Sequence, residues 1–410
     1  MKNWRSRILI LGVLFLLSVG VVAAVASAMP KVSYIRGGNV AQVVGSNGVI
    51  TPTEPEVQHL ATPPTVKAVY MSQCAAGTPS FRKDLIELVD TTEINALLID
   101  IRDYTGKIAF PTDNPSLKDY VSDACGARDM KAFIKELHEK DIYVIGRITT
   151  FQNPAYTKVH PDEAVQKSGG GVWKDHKGLA FVDVGAKPYW DNVVELAKES
   201  YAIGFDELNF DYIRFPSDGP MKEAVYSWAD GRTKPEVLES FFKYLSEQLE
   251  PIGVVTSADL FGMTATNQDD LNIGQVLERA LPYFDFIDPM VYPSHYPSGF
   301  NGYKDVNSHS YDIVHLSMVE AVRRTLATTT PIASFAYERI GTSTPAVYSK
   351  PAYPASKIRP WLQSFDYPVT YTPAMVQEQI KANEDAGLDS YLFWDPANKY
   401  RSLRVVLGKE

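Results

Sequence analysis

Two cysteines among 410 residues are too few for a disulfide-built scaffold, so the fold must rest on an ordinary hydrophobic core. Lysine and arginine number 40 against 49 acids, and a net charge of −9 offers nucleic acid no global field. No G-x-S-x-G elbow, P-loop or strand-borne G-x-G-x-x-G occurs, which excludes the common serine-hydrolase and nucleotide-binding signatures. Gly169-Gly170-Gly171 lies in a loop before Trp173, without the required context. The seven histidines contain no H-E-x-x-H, because His138-Glu139 lacks its partner, so neither a metal nor another cofactor is expected. Glycine (26) and proline (27) stay at ordinary levels and exclude collagen-like chains. What remains, 45% hydrophobic and 22% charged, is the composition of a globular chain of enzyme size.

Long apolar runs are also scarce, with one exception at the start. Ile8–Ala28 is 21 residues without a charge, preceded by Lys2, Arg5 and Arg7. At about 1.5 Å per residue such a helix spans about 31 Å, enough to cross a bilayer. The basic flank predicts that everything after it is exported. Ala26-Ser27-Ala28 also fits a cleavage site, so residues 1–29 read as a signal peptide or a membrane anchor. Residues 30–64, with Thr51-Pro52-Thr53 and Thr62-Pro63-Pro64, read as an extended tether. In an exported chain Cys74 and Cys125 are a candidate disulfide, two buried thiols being the alternative. Closing that loop would constrain the unfolded chain by roughly 4 kcal/mol.

From residue 65 to 410, short apolar runs alternate with amphipathic stretches. Strands are predicted over Thr65–Met71, Ile94–Asp103, Ile142–Thr150, Phe205–Arg214, Gly253–Phe261, Phe284–Tyr292, Ile358–Phe365 and Ser390–Trp394. Helices are predicted over Ser80–Val89, Asp129–Glu139, Trp190–Tyr201, Pro235–Leu249, Ile273–Ala280, Tyr311–Leu326 and Pro373–Ala386. Eight such strands fit an α/β fold, the (β/α)8 TIM barrel, with an open doubly wound sheet as the alternative. Thr328–Lys357 then becomes a Pro-rich insertion before the seventh strand, although Pro331–Tyr337 could pass for a strand itself.

Barrels of this kind place their active sites at the C-terminal ends of the strands. Those ends hold Asp100, Arg102 and Asp103; Asn209, Asp211, Tyr212 and Arg214; Ser257 and Asp259; Asp288 and Tyr292; Arg359, Trp361 and Gln363; Trp394 and Asp395. On the fourth strand Glu207, Asn209 and Asp211 share one face, and that polar face must point inward because helices cover the other. Two carboxylates on neighbouring strands are the minimum kit for cleaving a glycosidic bond, one as acid and one as nucleophile or base. Asp211 and Asp259 are the expected pair, with Asp103 in reserve. Arg102 and Arg214 are expected to orient them. Asn209, Asp288, Tyr292, Trp361, Trp394 and Asp395 are expected to contact the sugar.

The run Gly204–Pro216 (GFDELNFDYIRFP), with Ile99–Asp103 (IDIRD) before it, resembles the family described as "Putative glycosyl hydrolase domain", found in bacterial exported proteins. Phe286–Tyr296, Ile358–Gln363 and Leu392–Pro396 complete a resemblance that covers about residues 66–404. It implies a glycosidase-type barrel acting on a polysaccharide or oligosaccharide. A weaker likeness to chitinase-type barrels rests on Asp206, Asn209, Asp211, Met290 and Tyr292. Their catalytic glutamate is replaced by Ile213, so that mechanism does not carry over. The expected activity is hydrolysis of an extracellular or cell-wall polysaccharide by an exported protein, at the cell surface, membrane-anchored or secreted. The alternatives are a catalytically inactive glycan-binding barrel and another carbohydrate-active reaction, such as a lyase or transglycosidase, on the same rim.

Overall fold

Eight short segments pair in parallel and are buried on both faces, as a closed barrel requires, with Val, Ile and Leu densest in the second and third. In the computed structural model, which describes residues 57–408, these strands are β1 (Lys67–Met71), β2 (Ala96–Arg102), β3 (Tyr143–Thr149), β4 (Glu207–Asp211), β5 (Val255–Phe261), β6 (Phe286–Met290), β7 (Trp361–Gln363) and β8 (Tyr391–Trp394). Each strand pairs with its sequence neighbours, and β8 closes on β1 with Lys67 opposite Tyr391. The expected signal or anchor segment, residues 1–29, and most of the tether lie outside the described residues. Among the described residues no helix is long and apolar enough to cross a membrane.

Helices α1 (Pro79–Thr91), α2 (Met130–His138), α3 (Lys187–Ile203), α4 (Lys234–Leu249), α5 (Leu277–Ala280), α6 (Ser310–Leu326), α7 (Pro373–Asp385) and α8 (Arg401–Leu407) follow the strands. The helix expected over Ile273–Ala280 shrinks to α5. Leu271 and Asn272 just before the expected span and Gly274 inside it take positive φ, which interrupts a right-handed helix. The insertion forms a small antiparallel sheet of Thr329–Thr330, Glu338–Ile340 and Val347–Ser349, outside the barrel. Pro331–Tyr337 is therefore not a barrel strand. Buried Glu239 of α4 anchors it, accepting from Ser334 Oγ at 2.5 Å and Phe335 N at 2.7 Å.

Apolar side chains form two main cores, with a small third cluster of Val165, Trp173 and Phe181. The larger lies between strands and helices and includes Leu97, Ile99, Val144, Leu208, Phe210 and Leu260. The smaller fills the lumen with Ala68, Ala96, Leu98, Tyr143, Ile145 and Leu392. Residues 57–64, expected in the tether, pack under the barrel. Leu60 N donates to Asp206 Oδ1 at 2.7 Å, Thr62 Oγ1 lies 2.9 Å from the Tyr143 hydroxyl, and His59 stacks on Tyr201.

Cys74 and Cys125 form the disulfide, closing 51 residues between the β1 and β2 exit loops. Gly126, with φ +104°, fits against the backbone of Gly77 and Ala109, where a Cβ would clash. Replacing both cysteines by serine should cost about 2–4 kcal/mol, read as a lower urea midpoint in equilibrium unfolding. An unchanged midpoint would mean the bridge constrains nothing.

Candidate active site

Alternation along β4 turns Glu207, Asn209 and Asp211 into the lumen, where they meet Arg147 of β3, Asp259 of β5, Asp288 of β6 and Arg359, just before β7. The middle layer is fully buried. Arg359 donates to Glu207 Oε1 at 2.5 Å and Oε2 at 3.1 Å, and to both oxygens of Asp288 at 3.2 Å. Ser257 Oγ donates to Glu207 Oε1 at 2.6 Å. Asn209 Nδ2 contacts Asp259 Oδ1, Ser257 Oγ and Asp288 Oδ2 at 2.8, 3.1 and 3.1 Å, tying this layer to the one above. Burial pushes the Asp288 carboxyl up to about 6, with the charge of Glu207 adding to it against the pull of Arg359.

Arg147 of β3 organises the upper layer. Its Nη1 donates to Asp100 Oδ1 at 2.6 Å, while Nε and Nη2 donate to Asp211 Oδ2 at 3.1 and 2.5 Å. The same Nε lies 3.9 Å from Asp259 Oδ2. One nitrogen thus keeps the Oδ2 atoms of Asp211 and Asp259 within about 7 Å of each other, which excludes the widest carboxylate spacings of inverting glycosidases. Asp259 Oδ1 also accepts from Trp361 Nε1 at 2.7 Å, and Tyr70 donates to Asp100 Oδ2 at 2.5 Å. Burial holds the Asp259 carboxyl well above the usual carboxylate range, and the charges of Asp211 and Asp288 raise it further.

Above this layer opens a cavity of about 290 Å³, bordered by Asp211, Asp259, Tyr292, Trp361, Trp394 and Arg214, among others. Tyr292 and Trp394 lie with ring centroids 5.5 Å apart on one wall. Tyr212, on another, sits in the left-handed region at φ 51°, and its N–H donates to Asp211 Oδ1 at 2.5 Å. A bulky residue is strained in that conformation.

Several expected residues lie elsewhere. Arg102 does not reach the carboxylates. A register shift between Asp100 and Arg102 places Arg102 opposite outward-facing Ile148. It donates instead to Thr149 O and Asn192 Oδ1, beside the Tyr189 ring. Asp103 is spent on its own turn, accepting from Thr105 N at 3.0 Å and Thr105 Oγ1 at 2.5 Å. Asp395 caps the following loop by accepting from the backbone N–H groups of Ala397, Lys399 and Tyr400. Arg214 borders the cavity but bonds no carboxylate among the described residues. Asn209 and Asp288 support the floor from below. Sequence reading missed Arg147, whose signal is a lone charge inside the apolar stretch IYVIGRITT.

Asp259 also carries a stability prediction. Its native pKa lies above the unfolded value of about 3.9, so above about pH 4 the unfolded chain releases a proton that the native state keeps. Stability therefore falls as pH rises, until the native group ionises as well. Asp259→Asn removes this penalty and should raise Tm at pH 7 but not below pH 4, as scanning calorimetry would show. A lower Tm at neutral pH would contradict the assignment.

A family model described as "Putative glycosyl hydrolase domain" matches residues 68–400. Among solved structures, a hypothetical protein from Ruminiclostridium thermocellum is 31% identical over 50% of this chain and 98% of its own, with a TM-score of 0.43. The glycoside hydrolase domain of PgaB (BpsB) from Bordetella bronchiseptica is 13% identical, covers 85% of this chain and 100% of its own, and has a TM-score of 0.56. The Thermus thermophilus α-galactosidase TtGalA is 13% identical over 87% of this chain and 64% of its own, at a TM-score of 0.49. No curated protein matches significantly. The second of these likenesses extends to the fold; the family match extends further.

Proposed function

The chain belongs to the "Putative glycosyl hydrolase domain" family, and on that premise we propose that Asp211 and Asp259 cleave the glycosidic bonds of an extracellular or cell-wall polysaccharide. The observation that carries this reading is the contrast between two acids on one rim. Asp259 is buried, and burial lifts its carboxyl well above the usual carboxylate range, which favours the protonated form that an acid serving the leaving oxygen needs. Asp211, beside the cavity and gripped through one oxygen by Arg147, serves as nucleophile or base. Tyr292, Trp361 and Trp394 supply flat apolar faces for sugar rings. Arg147 is a positioning residue that sets the distance between the acids.

Export is part of the same reading. It is supported by the basic, apolar segment before residue 29 and by a disulfide, which persists in oxidising compartments. The Arg147 bridge also favours a second reading, a barrel that holds glycan without cutting it, because it occupies both acids at once.

One experiment separates the two. The full-length protein is incubated with a panel of polysaccharides, and reducing ends and product anomers are followed by NMR. Release of reducing ends with water at the anomeric carbon supports hydrolysis; unsaturated products would mean a lyase. Binding without any cleavage would leave the glycan-binding barrel. For a cleaved substrate, kcat/KM should fall on the alkaline side as Asp259 loses its proton, above the ordinary carboxylate range.

A further inference from the structure

Among the described residues, the two arginines that point into the lumen are matched by acids, whereas the one at its mouth is not. Arg147 holds Asp100 and Asp211, and Arg359 holds Glu207 and Asp288. Arg214 borders the same cavity and has no carboxylate within ion-pair distance among the described residues. Its Nη1 donates to Phe215 O at 3.0 Å and Ser217 Oγ at 3.3 Å, while Nε and Nη2 have no acceptor there. The acids that surround it are committed elsewhere. Asp211 is bound by Arg147, Asp175 accepts from the N–H groups of Lys177 and Leu179, and Asp218 lies 3.6 Å from His176.

The guanidinium is nevertheless held in place. Its carbon lies 4.8 Å from the ring centroid of Phe261, 5.0 Å from Tyr212 and 5.7 Å from Phe181. Aromatic faces stabilise a cation without consuming its hydrogen bonds. A half-buried fork with two free donors, fixed by rings beside a cavity, matches the planar two-oxygen geometry of a carboxylate.

We propose that the glycan taken by this cavity carries a carboxylate, as uronic acids do, and that Arg214 binds that group through Nε and Nη2. The inference rests on the hydrolase reading above and narrows its substrate class. A neutral sugar would leave the Arg214 charge withdrawn from water and unmatched.

The test uses the full-length protein and three polyuronates (polygalacturonate, polyglucuronate and polymannuronate). Each is paired with its carboxyl-reduced form, in which a hydroxymethyl group replaces the carboxylate. Binding is read by tryptophan fluorescence, since Trp361 and Trp394 line the cavity. At least one polyuronate should bind on the order of ten-fold more tightly than its reduced form, and added salt should shrink that advantage. Arg214→Met should erase it, and Arg214→Lys should keep only part of it. The wild-type contrast needs no variant and stands even if Arg214→Met does not fold. No preference for any polyuronate would overturn the inference, as would equal affinity for dextran sulfate. Preferential binding without reducing ends would overturn the hydrolase reading and leave this inference intact. Cleavage of neutral polymers alone would do the reverse.

Discussion

Asp211→Asn should abolish cleavage of whichever polysaccharide the protein accepts, lowering kcat on the order of 10³-fold or more while leaving the barrel folded. An amide can neither attack the anomeric carbon nor take a proton from water. The structural disturbance should be small by comparison. The Asn oxygen can serve either the Arg147 fork or the Tyr212 N–H, both of which Asp211 serves now, so about 1 kcal/mol of stability is lost. The measurements are reducing-end release and a thermal melt on the same preparation. Full activity in a folded Asp211→Asn variant would end the assignment. Loss of activity with unchanged glycan affinity would place the defect in the chemical step.

The largest stability effect should come one layer down. Arg359→Met leaves Glu207 and Asp288 buried, close together and without their shared cation. Removing one partner from a buried ion pair costs about 3–5 kcal/mol, because the remaining charge has no solvent to return to. Two acids are stranded here, so the upper end of that range is expected from urea unfolding at pH 7. The loss should shrink in acid, where the stranded carboxyls become neutral. Asp288, already pushed up to about 6, should gain its proton before the pH reaches the ordinary carboxylate range. Adding Glu207→Gln and Asp288→Asn to Arg359→Met should recover much of the stability at pH 7. A loss that is the same at pH 4 and pH 7 would show that packing, not charge, explains it.

Much of the scaffold was legible because period-two alternation and apolar runs are written locally. Glu207, Asn209 and Asp211 point inward as their spacing requires, and all eight strands fall within the segments expected of them. Arg102 was misplaced because a bulge depends on how β2 pairs with β3, which no stretch of β2 alone records. Asp103 and Asp395 sit where a strand ends, yet short acids there cap turns as readily as they reach a ligand. Arg147 was overlooked for the opposite reason. It lies inside a strand rather than at its end, and its partners Asp100 and Asp211 are contributed by the staves on either side. A charge in a segment buried on both faces is itself the clue, since it must be neutralised by something from another strand.

The one-residue irregularity in β2 has a mechanical consequence. It sends Arg102 into the outer layer, where it grips the carbonyl of Thr149 and the side chain of Asn192 on α3. Tyr189 of the same helix reaches the Thr150 carbonyl at 2.6 Å. The rim behind Arg147 is therefore buttressed from outside by a helix bolted to two staves. What the lumen forgoes as a ligand-binding cation it gains as stiffness, and the spacing of the acids in front inherits that rigidity.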